Sequence, residues 1–292
     1  MSKTRKDFEK IFIEITNFCG LDCSFCTPKK EPKTTMSLEL FNKITKEISP
    51  YTKRCALHIL GDPLSIDYLK DYLDLAQNLS IDITTSGFFL NTQNTALLLE
   101  HKNIHQINIS LASALYQTNP ISLESYLKKV LELCKNHQQR QSQKFINLRL
   151  WNLNQNFTAP KCNLEIYKIL QNHFNLFSIS PLKTRLAYKI HLVGAPFFQW
   201  ANPNSKDRQA QGFCYGASKQ LGILCDGRVV PCCFDTQGNI TLGNLQTQSF
   251  IEILNSKRRI YLINGFKENK LVETLCQTCK YPEYLKKLKF KM

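Results

Sequence analysis

The stretch Cys19-Gly20-Leu21-Asp22-Cys23-Ser24-Phe25-Cys26 sets three thiols in a CxxxCxxC spacing directly after the apolar run Ile11-Phe12-Ile13-Glu14-Ile15. Thiolates this close on one loop can converge on a small metal site. Three of them satisfy three irons of a cubane cluster and leave the fourth iron open, whereas electron-carrying clusters take four cysteines. An open coordination position is what separates catalytic from structural metal sites. A zinc knuckle is the alternative, but it needs a fourth Cys or His close by, and the next downstream are Cys55 and His58. The spacing, with an aromatic residue before the last Cys, is far rarer by chance than a lone CxxC and favours the cluster.

Outward from this loop, short β runs alternate with helical patterns. Strands are expected at 11–15, 54–60, 81–86, 106–111, 145–151 and 187–193. Ser37 is placed to cap a helix with the stripe Phe41, Ile44 and Ile48, stopped by Pro50. Leu69, Tyr72, Leu73 and Ala76 form a second stripe, and Leu123, Tyr126, Leu127, Val130, Leu131 and Cys134 a third at helical spacing. Repeated βα units imply a parallel sheet with helices outside. Six of them fit an α/β fold with an open, partial (β/α)6 barrel better than a closed barrel of eight.

Parallel strands covered on both faces normally read apolar throughout. These alternate. One face carries Ile11, Ile13 and Ile15, then Cys55 and Leu57, Ile81 and Ile83, Ile107 and Ile109, Ile146 and Leu148. The other carries Glu14, Thr16, His58, Asp82, Thr84, Ser86, Asn108, Ser110, Asn147 and Arg149. If the apolar side meets the helices, the polar side lines a lumen that must hold water or a polar ligand. An antiparallel sheet with one wet face is the alternative, disfavoured by the intervening helices. Cys55 and Cys134 lie on apolar stripes as small core residues. His58 is expected as a core histidine with satisfied nitrogens, with a pocket role as the alternative.

A chain of 292 residues holds one large core, or a main domain with an appendage. No apolar run is long enough to cross a bilayer, and the first residues lack the apolar segment of a secretory signal, so a cytoplasmic protein is expected. Twelve cysteines without an export signal point to metal or redox use rather than a disulfide scaffold. The net charge of +15 favours anionic partners. No arginine-rich or aromatic-interleaved basic run appears, so nucleic acid is not the favoured partner. The lysine-rich tail at 286–291 is expected to fray.

Ile15-Thr16-Asn17 followed by Cys19, Cys23 and Cys26 resembles the opening of radical S-adenosylmethionine (SAM) enzymes. The resemblance implies a [4Fe–4S] cluster on these three cysteines whose open iron chelates SAM. A reductant protein such as flavodoxin or ferredoxin supplies an electron, and the 5′-deoxyadenosyl radical cut from SAM removes a hydrogen atom from the substrate. His58-Ile59-Leu60-Gly61-Asp62-Pro63 resembles the family's GGEP segment, with Leu60 for the first Gly and Asp62 for Glu. Thr84-Thr85-Ser86-Gly87 resembles its TTNG-like strand end. On that resemblance Gly61, Asp62, Thr84, Ser86, Ser110 and Arg149 are the expected SAM contacts.

Residues 194–213, with Pro196, Pro203 and a polar run, mark a linker whose Phe197, Phe198 and Trp200 are expected to pack across the barrel mouth. Beyond it, 221–225 and 228–232 flank Asp226-Gly227, a two-residue hairpin signal. A helix is expected near 250–263, followed by Cys276-Gln277-Thr278-Cys279. Cys214, Gly227 and Cys232, with Leu242-Gly243-Asn244-Leu245, resemble the SPASM/twitch extensions of radical SAM enzymes. The six cysteines here support one auxiliary four-ligand [4Fe–4S] cluster. Cys225 beside the turn and Cys232 up the opposing strand lie too far apart to share it in a regular hairpin, so the expected ligands are Cys214, Cys232, Cys276 and Cys279. A zinc site on the same thiols is the alternative.

The chain thus reads as a radical SAM core over 1–200 and a small hairpin-plus-helix, Cys-rich auxiliary module over 201–292. Its substrate is expected to be a peptide, a protein side chain or a small metabolite. An RNA- or nucleoside-modifying enzyme, and a non-catalytic iron–sulfur or zinc-binding interaction protein, are the competing readings.

Overall fold

The computed structural model describes residues 8–27, 32–197 and 199–289. Phe198 and the last residues of the lysine-rich tail lie outside them. The first half builds as its periodicities require: β1 Lys10–Ile13, α1 Leu38–Ile48, β2 Arg54–Ala56, α2 Leu69–Leu75, β3 Ser80–Thr85, α3 Thr92–Glu100, β4 Ile104–Ser110, α4 Ala112–Leu115, α5 Leu123–Gln139, β5 Phe145–Leu153 and α6 Asn163–Phe174. Ser37 caps α1 through its hydroxyl, which accepts from Leu40 N, and Phe41, Ile44 and Ile48 are buried on the face turned to the sheet. Strands β1 to β5 are parallel and adjacent in order. Their apolar face, from Ile11 and Ile13 through Leu57, Ile81, Ile107 and Leu148, is fully buried under the helices.

Three expectations are corrected beyond this point. The sixth run is a hairpin: β6 Lys183–Ala187 turns through Tyr188-Lys189 into β7 Ile190–Pro196, and β7 pairs parallel with β5. Lys189 takes a positive φ of 56° without a Gly or Asn to announce the turn. Strand β2 stops at Ala56, so the alternation expected to 60 breaks and Ile59 packs with Leu224 and Val230. The helix expected near 250–263 is two, α7 Phe250–Leu254 and α8 Lys257–Lys267. Asn255 ends the first and Ser256 caps the second, its hydroxyl accepting from Arg259 N.

The C-terminal hairpin does not stand apart. Its first strand, β8 Gln220–Ile223, runs parallel to β1 from Lys10↔Gln220 to Ile13↔Ile223. Strand β9 Arg228–Val230 pairs antiparallel with β8, and β10 Gly243–Asn244 with β9. One open ten-stranded sheet results, in the order β10-β9-β8-β1-β2-β3-β4-β5-β7-β6, its ends left unclosed. The register Gly222↔Val230 and Leu224 N to Arg228 O at 2.9 Å make the loop three residues, Cys225-Asp226-Gly227, not two. Gly227 closes it at φ +79°, the left-handed residue that such a loop takes. Helices α9 Thr274–Thr278 and α10 Tyr281–Lys289 complete the chain, so the lysine-rich tail is helical as far as Lys289. No described helix is long and apolar enough to cross a membrane.

Candidate functional site

The cysteine loop leaves the C-terminal end of β1 and is tied down by residues far away in sequence. Gln117, just past α4, donates from Nε2 to Cys23 Sγ at 2.9 Å and accepts from Asp22 N at 2.9 Å. Ser24 N donates to Tyr116 O and Thr118 N to Asp22 O. Cys26 N turns back to Cys23 O at 3.0 Å, bringing the last two thiols onto one bend. Burial, and next the nearby Asp62 carboxylate, push the Cys19 thiol up to about 12. A thiol so placed ionises only when a cation compensates it, which is what a metal centre supplies. Gln117 was missed in the sequence because nothing local marks a glutamine 94 positions from its cysteine.

Segment 61–66 is laced onto this loop. Asp62 N donates to Phe18 O at 2.8 Å, and Gly61 packs on the backbone of Thr16 and Asn17. The Asp62 side chain, 1% exposed, is used up internally: Oδ2 accepts from Thr85 Oγ1, Ser86 N and Ser86 Oγ, and Oδ1 from Leu64 N. Burial raises its pKa, and the donors from Ser86, Leu64 and Thr85 oppose that rise. Asp62 and Ser86, both expected as SAM contacts, bond each other, the carboxylate folding back onto the β3 end. Thr84 Oγ1 accepts from Asn108 Nδ2 inside the lumen. Ser110 and Arg149 sit at adjacent register positions of β4 and β5, their polar side-chain groups without hydrogen bonds among the described residues.

Between the strands runs a polar ladder. Asp82 accepts from Lys10 Nζ and Arg54 Nε; Arg54 reaches Gln106 Oε1 at 3.1 Å; Gln106 bonds Asn108, and Asn147 donates to Asn108 at 3.1 Å. The lumen is therefore partly filled by polar side chains that satisfy one another. His58 is not among them. Its ring meets Phe12 edge-on at 5.8 Å, and its buried Nδ1 has no hydrogen-bond partner among the described residues, so it is not a satisfied core histidine there.

The second cysteine set surrounds a separate cavity. Cys214, Cys232, Cys276 and Cys279 line it together, with Phe234, Asp235, Phe266 and Tyr281. Gly216 N points to Cys214 Sγ and Tyr281 N to Cys279 Sγ, each at 3.4 Å. Burial and the neighbouring thiols push Cys232 and Cys276 well above the ordinary thiol range. Among the described residues no three ligand side chains converge on a single point, as one bound ion requires. Four soft thiols around a cavity suit an iron–sulfur cluster. Cys225 lies elsewhere: its N donates to Glu14 Oε2 and its Sγ faces Thr34 O at 3.6 Å. Cys233 turns into the lumen, against the cluster of Ile59, Leu224 and Val230.

Aromatic residues join the two cysteine sets. Trp200 Nε1 donates to Phe25 O at 3.0 Å, in the first loop. The same indole packs on Phe234, which packs on Tyr281 beside Cys279. Phe197 completes the mouth against Phe25 and Tyr116.

Residues 13–148 match the model of the radical SAM superfamily, and residues 214–280 that of the iron–sulfur cluster-binding domain SPASM. Residues 13–148 are thus a radical SAM domain and residues 214–280 a SPASM module, a combination found in enzymes whose cofactors are [4Fe–4S] clusters and SAM. The structure of BtrN in complex with AdoMet and 2-DOIA matches at TM-score 0.62 and 15% identity, covering 94% of each chain. SuiB of Streptococcus suis bound to its precursor peptide SuiA matches at 0.62 and 12%, covering 97% of this chain and 73% of that one. Native anSMEcpe with bound AdoMet matches at 0.61 and 13%, covering 96% and 95%. At these identities the likeness establishes the open-barrel fold. No curated protein sequence matches the chain.

Proposed function

We propose that this enzyme cleaves SAM reductively at Cys19, Cys23 and Cys26 and abstracts hydrogen from a peptide, protein side chain or small metabolite held in the lumen. One observation carries the reading: a three-cysteine loop, anchored by Gln117 and Gly61, stands at the end of a sheet whose lumen face is polar. With its cofactors bound, the site supplies a carbon-centred radical able to break a substrate C–H bond. The protein's own part is positioning. Gln117 orients Cys23, Asp62 locks the Gly61 segment to the β3 end, and Phe25, Phe197 and Tyr116 screen the mouth from water. Gly61, Asp62, Thr84, Ser86, Ser110 and Arg149 are the groups of the strand ends that SAM would meet.

Residues 1–200 act as the core and 201–292 as the auxiliary module. Cys214, Cys232, Cys276 and Cys279 hold its cluster, with four ligands that suit a structural or electron-transfer role. The substrate class is supported by the neighbours, whose structures hold peptides (SuiA, Kp18Cys) and a small molecule (2-DOIA). The reductant is a flavodoxin- or ferredoxin-type protein in the cytoplasm, for which a net charge of +15 offers an attractive surface. Reconstituted protein reduced with dithionite should form 5′-deoxyadenosine from SAM; a folded, cluster-loaded preparation that forms none would overturn the reading.

A further inference from the structure

We propose that the outer side of the cysteine loop is a docking surface for an acidic, flavodoxin-type electron carrier, built from Phe18, Phe88 and Phe89 with Lys33 and Lys129. The inference rests on the reading above, that the first cysteine set holds a reducible cluster, and names where its reductant binds.

The cover over Cys19 on this side is thin. Gly20 is exposed and takes a left-handed φ of +72°. A Cβ there would lie 2.8 Å from the Phe89 ring, so that ring rests directly on the backbone next to Cys19. Phe89 meets Phe18 at 6.3 Å between ring centroids and Phe88 at 5.4 Å. A continuous strip of three rings thus runs from the start of the loop to the segment after β3. Phe88, at one end of the strip, is 37% exposed. Other approaches to the loop are covered: Phe25, Phe197 and Tyr116 pack across the mouth, and Gly61 packs on the backbone of Thr16 and Asn17.

A lysine stands over each end of the strip. Lys33 Nζ lies 5.1 Å from the centre of the Phe18 ring, and Lys129 Nζ, on α5, 5.6 Å from that of Phe88. Lys129 also donates to Phe88 O at 3.1 Å, which holds it beside the ring. Both lysines are exposed, and neither pairs with a carboxylate among the described residues. Asp67 lines the groove that Lys33 and Phe18 share, yet forms no ion pair with Lys33. Aromatic rings at the centre with charge at the rim are the composition of a protein interface. Unspent rim cations attract an acidic partner and speed its encounter. The apolar edge of a flavin matches the strip, and carboxylates around that edge match the lysines. The step served is the transfer of a single electron, lost by the carrier's reduced flavin and gained by the first cluster, with no atom exchanged.

Cluster-loaded protein is tested with flavodoxin in two ways. Binding is measured by biolayer interferometry. Formation of 5′-deoxyadenosine is driven by flavodoxin kept reduced with NADPH and its reductase, with dithionite as the parallel reductant. Lys33→Glu with Lys129→Glu should weaken binding and slow the flavodoxin-driven reaction by about tenfold, and leave the dithionite-driven one unchanged. Raising the ionic strength should weaken binding to the unaltered protein and have little effect on the variant. Lys183→Glu with Arg185→Glu, on the edge strand β6, lowers the net charge equally and should leave binding as it was. The inference is overturned if the unaltered protein does not bind flavodoxin, or if the Lys33 and Lys129 variant binds as well as it does. It is also overturned if that variant slows with dithionite as much as with flavodoxin, or if both charge pairs act alike, which is steering by net charge alone. Unaltered protein that forms no 5′-deoxyadenosine with dithionite fails the enzyme reading instead, while the binding measurement still decides the docking surface.

Discussion

Gly61 lies so close to Thr16 that a Cβ at position 61 would sit 2.0 Å from the Thr16 carbonyl oxygen. Backbone cannot yield as a side chain does, so any larger residue must displace the segment that leads into Cys19. Gly61→Ala should lose iron at the first site, about four of roughly eight atoms, and abolish 5′-deoxyadenosine formation. Full iron content with retained SAM cleavage would show that the contact is dispensable.

The Gln117 amide donates to Cys23 Sγ, and hydrogen bonds to cluster sulfurs raise the reduction potential. Gln117→Leu should therefore shift the first cluster to a more negative midpoint and leave the second unchanged. Redox titration followed by electron paramagnetic resonance measures both. An unmoved first potential would mean that the bond is lost when the cluster is in place.

The thiols of the C-terminal half divide by location. Cys232→Ser should lose the second cluster, about four irons, and loosen the segment from Cys214 to Cys279 that the metal ties together, visible as faster amide exchange there. Cys225→Ser and Cys233→Ser should keep full iron content, because one thiol faces Thr34 and the other the lumen. Loss of iron in either serine variant would reassign the ligands.

Asp62 receives four donors in a buried site. Asp62→Asn keeps the shape but turns one acceptor end into a donor against Ser86 or Leu64. It should cost on the order of 2 kcal/mol in chemical denaturation. SAM affinity should fall as well; an unchanged affinity would show that the carboxylate serves only the β3 end.

Local patterns determined much of this protein in advance. The CxxxCxxC spacing, the stripe of Phe41, Ile44 and Ile48, and the alternation of Ile81-Asp82-Ile83-Thr84 are each legible within a few residues. Periods of 2 and 3.6 report which side of an element meets the core. The open αβ architecture and the first cysteine set follow from such signals.

What only the tertiary structure decided are relations between distant segments. No local pattern pairs β8 with β1, yet that pairing extends the barrel sheet into the SPASM hairpin. Nothing near Gln117 announces Cys23, and nothing near His58 shows that its Nδ1 has no hydrogen-bond partner among the described residues. The hairpin register slipped by one residue because Cys225-Asp226-Gly227 closes a three-residue loop as readily as Asp226-Gly227 closes two. Asp62, read by its neighbours in sequence, resembles a cofactor contact; its neighbours in space add the bond to Ser86. A side chain takes whichever partner the fold brings within hydrogen-bond distance, and that distance is not encoded in any short stretch of chain.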